Sequence, residues 1–395
     1  MAYEQLISVP SSATSGQVAK ANGSGGYAWS SLDYAASTHA STHEIGGTDA
    51  LPTASTSTYG LAQLYDGIDS TSTTYAATAN SVYLTTRIPT NPNILDNWYF
   101  LGDGSQTTGS VFPINQRGAT SYVGGVYGID RWVGVRSTIT TSISNSHIVI
   151  SATGSVTKDY NIWGQIVEHP EKYAGQIVTL SLMTYQSSDV DFAFNIMTTD
   201  SNSTNHWLCF SVPKNDGAGL YYDTFTLPSD ITAMNIWITP DEAMASGDSI
   251  HLSAVKLEIG TVQTLAYYDI SASAWKVREI PDFTTELLRC QRYQVAMNPY
   301  KVADRCLGWA MATSTTTAWA IIDLPVVIRD RPTAVSPTTW RLRYPDTNYS
   351  VTAITCYNAG HTIHMSMTSS SLTKNRMYMV RNVSASDILL LDANL

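Results

Sequence analysis

The strongest constraint in this sequence is an abrupt change of composition near residue 90. Residues 1–90 are rich in Ser, Thr, Ala and Gly and poor in large aliphatic side chains. The stretch AASTHASTHEIGGTDALPTASTSTYG (35–60) has too little apolar surface to offset the ordering of its backbone, about 1–2 kcal/mol per residue. Alone, such a segment reads as a flexible linker. It becomes a shaft only where several chains wrap around a common axis and bury each other's small residues. The run RIPTNPN (87–93), with two prolines and two asparagines, marks a boundary.

Beyond Asn93 the pattern is that of strands. STITTSISNSHIVISAT (137–153), QIVTLSLMTYQ (176–186), VDFAFNIMTT (190–199), HWLCFSVP (206–213), AMNIWITP (233–240) and SIHLSAVKLEIG (249–260) are rich in β-branched and aromatic residues. Gly, Asn, Asp and Ser separate them, which predicts an all-β sandwich or jelly roll. WGQIVEHPEKYAG (163–175) is expected to be a short helical or irregular interruption. In PDFTTELLRCQRY (281–293), Asp or Thr can cap a short helix, with Leu287, Leu288 and Tyr293 on one face. Strand-like runs return at 315–328, 349–358, 361–369 and 376–384. The expected organisation is mainly β: a fibrous segment at 1–90, a jelly roll at 91–270 and a smaller β-domain at 271–395.

Charge excludes several classes of function. The 395 residues carry 22 Lys and Arg against 32 Asp and Glu, a formal net charge of −10, with no basic run. Phosphate-backbone binding needs clustered cations, so nucleic acid is not a partner. Only 14% of residues are charged, against about 25% in a typical domain, and hydroxyls and amides supply the polarity instead. Ten Trp and 23 Tyr argue against disorder. No apolar run reaches about 18 residues, so membrane insertion is not expected. The start, MAYEQLISVPSSATSG, lacks the basic and apolar regions of a signal peptide. Cys209, Cys290, Cys306 and Cys356 form no CxxC pair and are expected as free, mostly buried thiols; a disulfide within the C-terminal three is unforced.

Three segments resemble bacteriophage tail fibre and receptor-binding proteins of the gut phage and prophage type. SGQVAKANGSGGYAW with YAASTHASTHEIGGTDAL (15–51) and TSTYGLAQLYDGIDSTSTTYAATANSVY (56–83) are similar to their fibrous N-terminal parts. NILDNWYFLGDG, FPINQRG and YGIDRW (93–132), continued by AGQIVTLSLM and AVKLEIGTVQT, resemble their jelly-roll domain, which is like a carbohydrate-binding module. ELLRCQRYQ (286–294) and LPVVIRDRPTAV (324–335) look like a C-terminal tail-fibre domain. The resemblance implies an elongated homotrimeric fibre in the virion tail. Its N-terminus would attach to other tail or baseplate proteins, and its distal end would meet host cell-surface polysaccharide. A structural fibre without its own receptor site, and a polysaccharide-degrading tailspike, remain as alternatives. Bacteriocin and contractile-injection tail fibres share the same features.

No catalytic constellation stands out, and no enzyme activity is expected. Asp130, Asp189, Asp191, Asp241, Glu242, Asp248 and Glu258 are the acidic candidates for a glycosidase pair, each equally readable as a loop or salt-bridge residue. GxSxG, the P-loop and a strand–GxGxxG–helix are absent, so no cofactor is implied. His39 and His43, four apart, would place six imidazoles near a trimer axis, but a single pair without HxH assigns no metal. A sugar site wants aromatic plates beside amides, carboxylates or guanidinium groups. Trp98, Trp132, Trp163 and Trp237 read as core. The glycan candidates are Tyr122 and Tyr127 in a Gly-rich stretch, Trp207 at a loop edge, and Tyr221 and Tyr222 after a turn. The densest mixture is Trp340, Arg343, Tyr344, Asn348 and Tyr349 in TTWRLRYPDTNYS.

Overall fold

The computed structural model describes residues 17–24, 26–31, 63–65, 75–77, 90–102, 112–125, 127–144, 146–297, 302–335, 340–384 and 387–394. The chain divides into two compact units, 1–88 and 89–395. In the first, Gln17–Ala21 pairs antiparallel with Tyr27–Ser31. The Asn22 side chain closes that turn by accepting from the Ser24 and Gly26 amides at 3.1 Å. Gln63–Tyr65 pairs parallel with Tyr75–Ala77. His39 and His43 lie outside the described residues.

The second unit is built of antiparallel sheets. Leu220–Thr226, Ile177–Thr184, Ser249–Ile259, His147–Ala152, Ile139–Ser144 and Ser121–Val123 form, in that order, a six-stranded sheet. Asn205–Val212, Phe192–Asp200, Ile231–Pro240, Trp163–Ile166 and Val133–Gly134 form a five-stranded one. The two pack face to face as the expected jelly-roll β-sandwich. Leu180, Leu182, Val255 and Leu257 from one sheet and Phe192, Phe194, Ile236 and Ile238 from the other share one core. Trp132 and Trp163 stack in it at 4.2 Å, with Phe100 edge-on to both.

Each long apolar run of this region became a strand, with the 137–153 run folded back on itself as a hairpin. Two details differ. Residues 163–175 are not wholly irregular, because Trp163–Ile166 is a strand of the five-stranded sheet. Only Pro170–Tyr173 forms a short 3-10 turn. Leu220–Thr226 is an edge strand that its mixed composition, LYYDTFT, did not announce.

The C-terminal part adds the helix Phe283–Gln291 (α1), capped by the Asp282 carboxylate, which accepts from the Thr285 amide at 2.8 Å. Its inward face is Phe283, Glu286, Leu287 and Cys290, an i, i+3, i+4, i+7 pattern. Leu288, expected on that face, is exposed, and Tyr293 lies past the helix end. A seven-stranded sheet and a three-stranded sheet follow. Along Thr317–Ile328, Ala318, Ala320, Ile322 and Leu324 point inward, where Met365, Tyr378 and Val380 meet them. The hairpin Ala266–Asp269/Ala274–Val277 spans the expected boundary at residue 270.

Helix α1 is joined to the jelly roll by buried polar bonds as well as by apolar contact. Asn97 accepts from the Ile114 amide, donates to the Ile114 and Asp130 carbonyls, and through its own amide donates to Glu286. The Asp130 carboxylate accepts from Gln116 and Gln294. Asp130, readable from sequence as a salt-bridge residue, does not pair with its neighbour Arg131. Instead the chain turns through a left-handed backbone at Arg131 (φ 72°), and that side chain reaches Asp96 at 2.9 Å. Cys290 and Cys356 are buried free thiols; Cys209 and Cys306, also free, are exposed, contrary to the mostly buried expectation.

Candidate functional site

An open groove of about 620 Å³ crosses the outward face of the six-stranded sheet. Strand alternation puts Leu180 and Leu182 into the core and turns Met183 outward to form its floor, with Ser253 beside it. One wall is the hairpin 266–277, where Tyr268 and Trp275 stand directly opposite each other. Their rings meet edge to face at 5.5 Å. The Asp269 carboxylate shapes the hairpin turn. It accepts from the Ser271 amide and hydroxyl, the Ala272 amide and the Lys276 ammonium, which together hold its carboxyl well below the usual range.

The other wall is Tyr99 and Tyr185. Tyr185 stacks on His147 at 4.0 Å, nearly parallel. Burial, and secondarily His251 nearby, pushes the His147 imidazole down to about 4, so it backs the tyrosine as a neutral ring at neutral pH. Thr184 donates to the Gly217 carbonyl at 3.0 Å and accepts from the Gly219 amide at 2.8 Å, which ties the 213–219 loop to the groove. Tyr185 is 41% exposed and Tyr268 50% exposed, so both rings offer surface to a ligand. Among the described residues lining the groove none carries a carboxylate, and the titratable groups are three tyrosines and Lys276. Aromatic plates flanked by hydroxyls can hold the CH faces and hydroxyls of a sugar; acid–base hydrolysis would need a carboxylate pair.

The residues singled out from the sequence are scattered. Tyr222 is exposed and outward, opposite Ser181, on the same sheet face as the groove floor. Tyr221 turns to the other face, packs on the core and donates to Asp216 at 2.6 Å. Trp207, 49% exposed, lies on the edge strand of the five-stranded sheet. Tyr122 is half-buried and its hydroxyl bonds Asn115. Tyr127 is half-buried and bridged to Val133. Trp340 is fully buried in the C-terminal core, which leaves no ring face for a ligand. The rest of its stretch is a tight hairpin at a sheet edge. There Arg343 pairs with Asp346 at 3.1 Å and stands opposite Asn348. Tyr344 lies under the Arg376 guanidinium, and Tyr349 packs edge-on against Tyr378.

The acidic candidates are all engaged. Asp189 accepts from the Ser249 amide and hydroxyl, and Asp191 from the Lys214 amide. Glu242 holds the Lys214 ammonium at 2.6 Å, Asp241 accepts from Ser211, and Asp248 from the Ala245 amide. Glu258 is buried with Lys256 and Thr264. The groove residues Tyr99, Tyr185, Tyr268 and Trp275 were missed. The one local signal was YYDISASAW (267–275), aromatics on both sides of an Asp/Ser turn, which is a hairpin pattern.

Residues 55–83 match the family described as the phage tail fibre repeat. The chain therefore carries a tail fibre repeat, which marks it as a component of a virion tail. No curated protein matches it. Among solved structures, it is similar to the C-terminal family 22 carbohydrate binding module of Clostridium thermocellum Xyn10B. That match has 14% identity and a TM-score of 0.28, and covers 34% of this chain and 90% of that chain. It is similar also to the CBM22-1 xylan-binding domain of Paenibacillus barcinonensis Xyn10C, at 8% identity and a TM-score of 0.28, over 44% of this chain and 98% of that one. A third is the enzymatically active domain of bacteriophage CBA120 tailspike protein 4, at 11% identity and a TM-score of 0.26, over 41% and 21%.

Proposed function

We propose that this tail component is the receptor-binding fibre, a homotrimer that attaches the virion to host cell-surface glycan through the aromatic groove of its jelly roll. The groove is the observation that carries the reading: four aromatic side chains, two of them widely exposed, around a channel with no carboxylate among its described lining residues. The repeat at 55–83 supports a virion-proximal shaft that meets other tail or baseplate proteins.

Self-association is supported by the outward face of the seven-stranded sheet. Met377, Met311 and Trp319 form one cross-strand row, and Trp309 and Ile321 extend it. All five are exposed, Ile321 at 65%. A contiguous apolar face of this kind marks an interaction surface. Three weak sites on one trimer raise avidity by roughly 10²–10⁴ without a tight single site. The test is a glycan array probed with the full chain and with Tyr268→Ala/Trp275→Ala. Each lost aromatic contact is worth about 1 kcal/mol, roughly fivefold per site. Signals that fall at least tenfold in the double variant support the groove; undiminished signals place the sugar elsewhere.

A further inference from the structure

A second, smaller pocket of about 190 Å³ lies where α1 meets the jelly roll, and its chemistry is unlike that of the groove. Four cations line it, Arg131, Lys172, Arg289 and Arg292, against two carboxylates, Asp96 and Glu168. Behind these stand Glu286 and Arg329, and Glu171 is bonded to the lining His169, so five cationic side chains face four carboxylates and the pocket stays net positive in a chain of net charge −10. Both carboxylates are already taken. Asp96 is held by Arg131 at 2.9 Å and Arg289 at 2.7 Å. Glu168 is held by Arg292, Arg329 and the Tyr293 hydroxyl.

Two cationic groups are left with capacity. Arg131 is 1% exposed, with its guanidinium carbon over the Tyr293 ring at 3.5 Å. Its Nε and one terminal nitrogen are bonded to Asp96 and the Ile166 carbonyl, while the other terminal nitrogen, buried, has no partner among the described residues. Leaving such a donor unmet is costly. Lys172 is exposed at the mouth and makes no ion pair among the described residues.

We propose that this pocket binds a small oxyanion, the carboxylate of an acidic sugar or a phosphate group, between Arg131 and Lys172. An anionic oxygen meets the orphaned guanidinium donor, and Tyr173 at the wall gives a sugar ring an apolar surface. At this volume the pocket takes one residue or one free anion, not a chain.

Calorimetric titration of the full chain with glucuronate, inorganic phosphate and glucose, in separate runs, tests this. The anions bind and glucose does not. Lys172→Glu, a change at an exposed position, weakens the anions about tenfold, and 0.5 M salt weakens them further. Glucuronate binding without phosphate assigns a sugar acid; phosphate at equal strength assigns the phosphoryl group. Trp275→Ala leaves all of this unchanged, which separates the pocket from the groove. Absence of heat with both anions, equal binding of glucose, or indifference to Lys172→Glu overturns the proposal.

Discussion

Asp130 shows how one residue can hold a joint together. It is completely buried, and both its oxygens accept from amides of Gln116 and Gln294, on either side of the seam. Burial pushes its carboxyl up to about 6 despite those donors and the Arg117 guanidinium. An unfolded aspartate titrates near about 3.9. The folded chain therefore keeps a proton that the unfolded chain has lost. This contribution to stability is present below about pH 4 and is lost as pH rises through about 6. In Asp130→Asn it cannot titrate away. The stability difference between native chain and variant should thus move in the variant's favour by roughly 1–3 kcal/mol between pH 4 and 7. Thermal melts across that range check it, and a difference that stays flat contradicts the assignment. Trp340 makes the converse point. Its neighbours Arg341, Arg343 and Asp346 are polar, so the stretch reads from sequence as a cluster of sugar-compatible groups. Strand alternation nevertheless sends Trp340 and Leu342 inward while Arg341 and Arg343 face out.

Among the elements, Thr317–Ile328 was fully legible as a strand, because its side chains alternate strictly between inside and out. Which face was the core was less legible. The outward set contains Trp319 and Ile321 beside Asp323, the inward set Ala318 and Ala320 beside Ile322 and Leu324, so hydrophobicity alone does not choose between the two faces. A sheet with large apolar side chains on its outer face as well as its inner one has a second surface to bury. Ile321→Glu puts a charge into that surface without touching the core. The native chain should sediment at three times the chain mass, and the variant should keep its β-sheet circular dichroism and sediment as a monomer. A native monomer, or a variant that remains trimeric, contradicts self-association through this face. The helix was legible from its cap, but its inward face was not, since Leu288 is exposed and Tyr293 lies past its end, and neither were its buried polar contacts. Glu286 serves Asn97, almost two hundred residues away in sequence, and no local pattern carries that information.

At the scale of the whole molecule, the same distance problem hid the groove. Tyr99, Tyr185 and Tyr268 belong to three segments that meet only after the sandwich closes and the hairpin folds over it. The composition break near residue 90 was legible and falls where the chain divides into two units, because composition is a bulk property that survives without contacts. In the proposed function these parts act together: three copies of the chain would each offer a shallow aromatic groove to a glycan-coated surface. The most direct test is staining of host bacteria by the fluorescently labelled full chain, before and after periodate oxidation of their surface glycans. The account predicts that periodate abolishes staining and that Tyr268→Ala/Trp275→Ala lowers it at least tenfold on untreated cells. Staining that survives periodate and is indifferent to the double variant would contradict it.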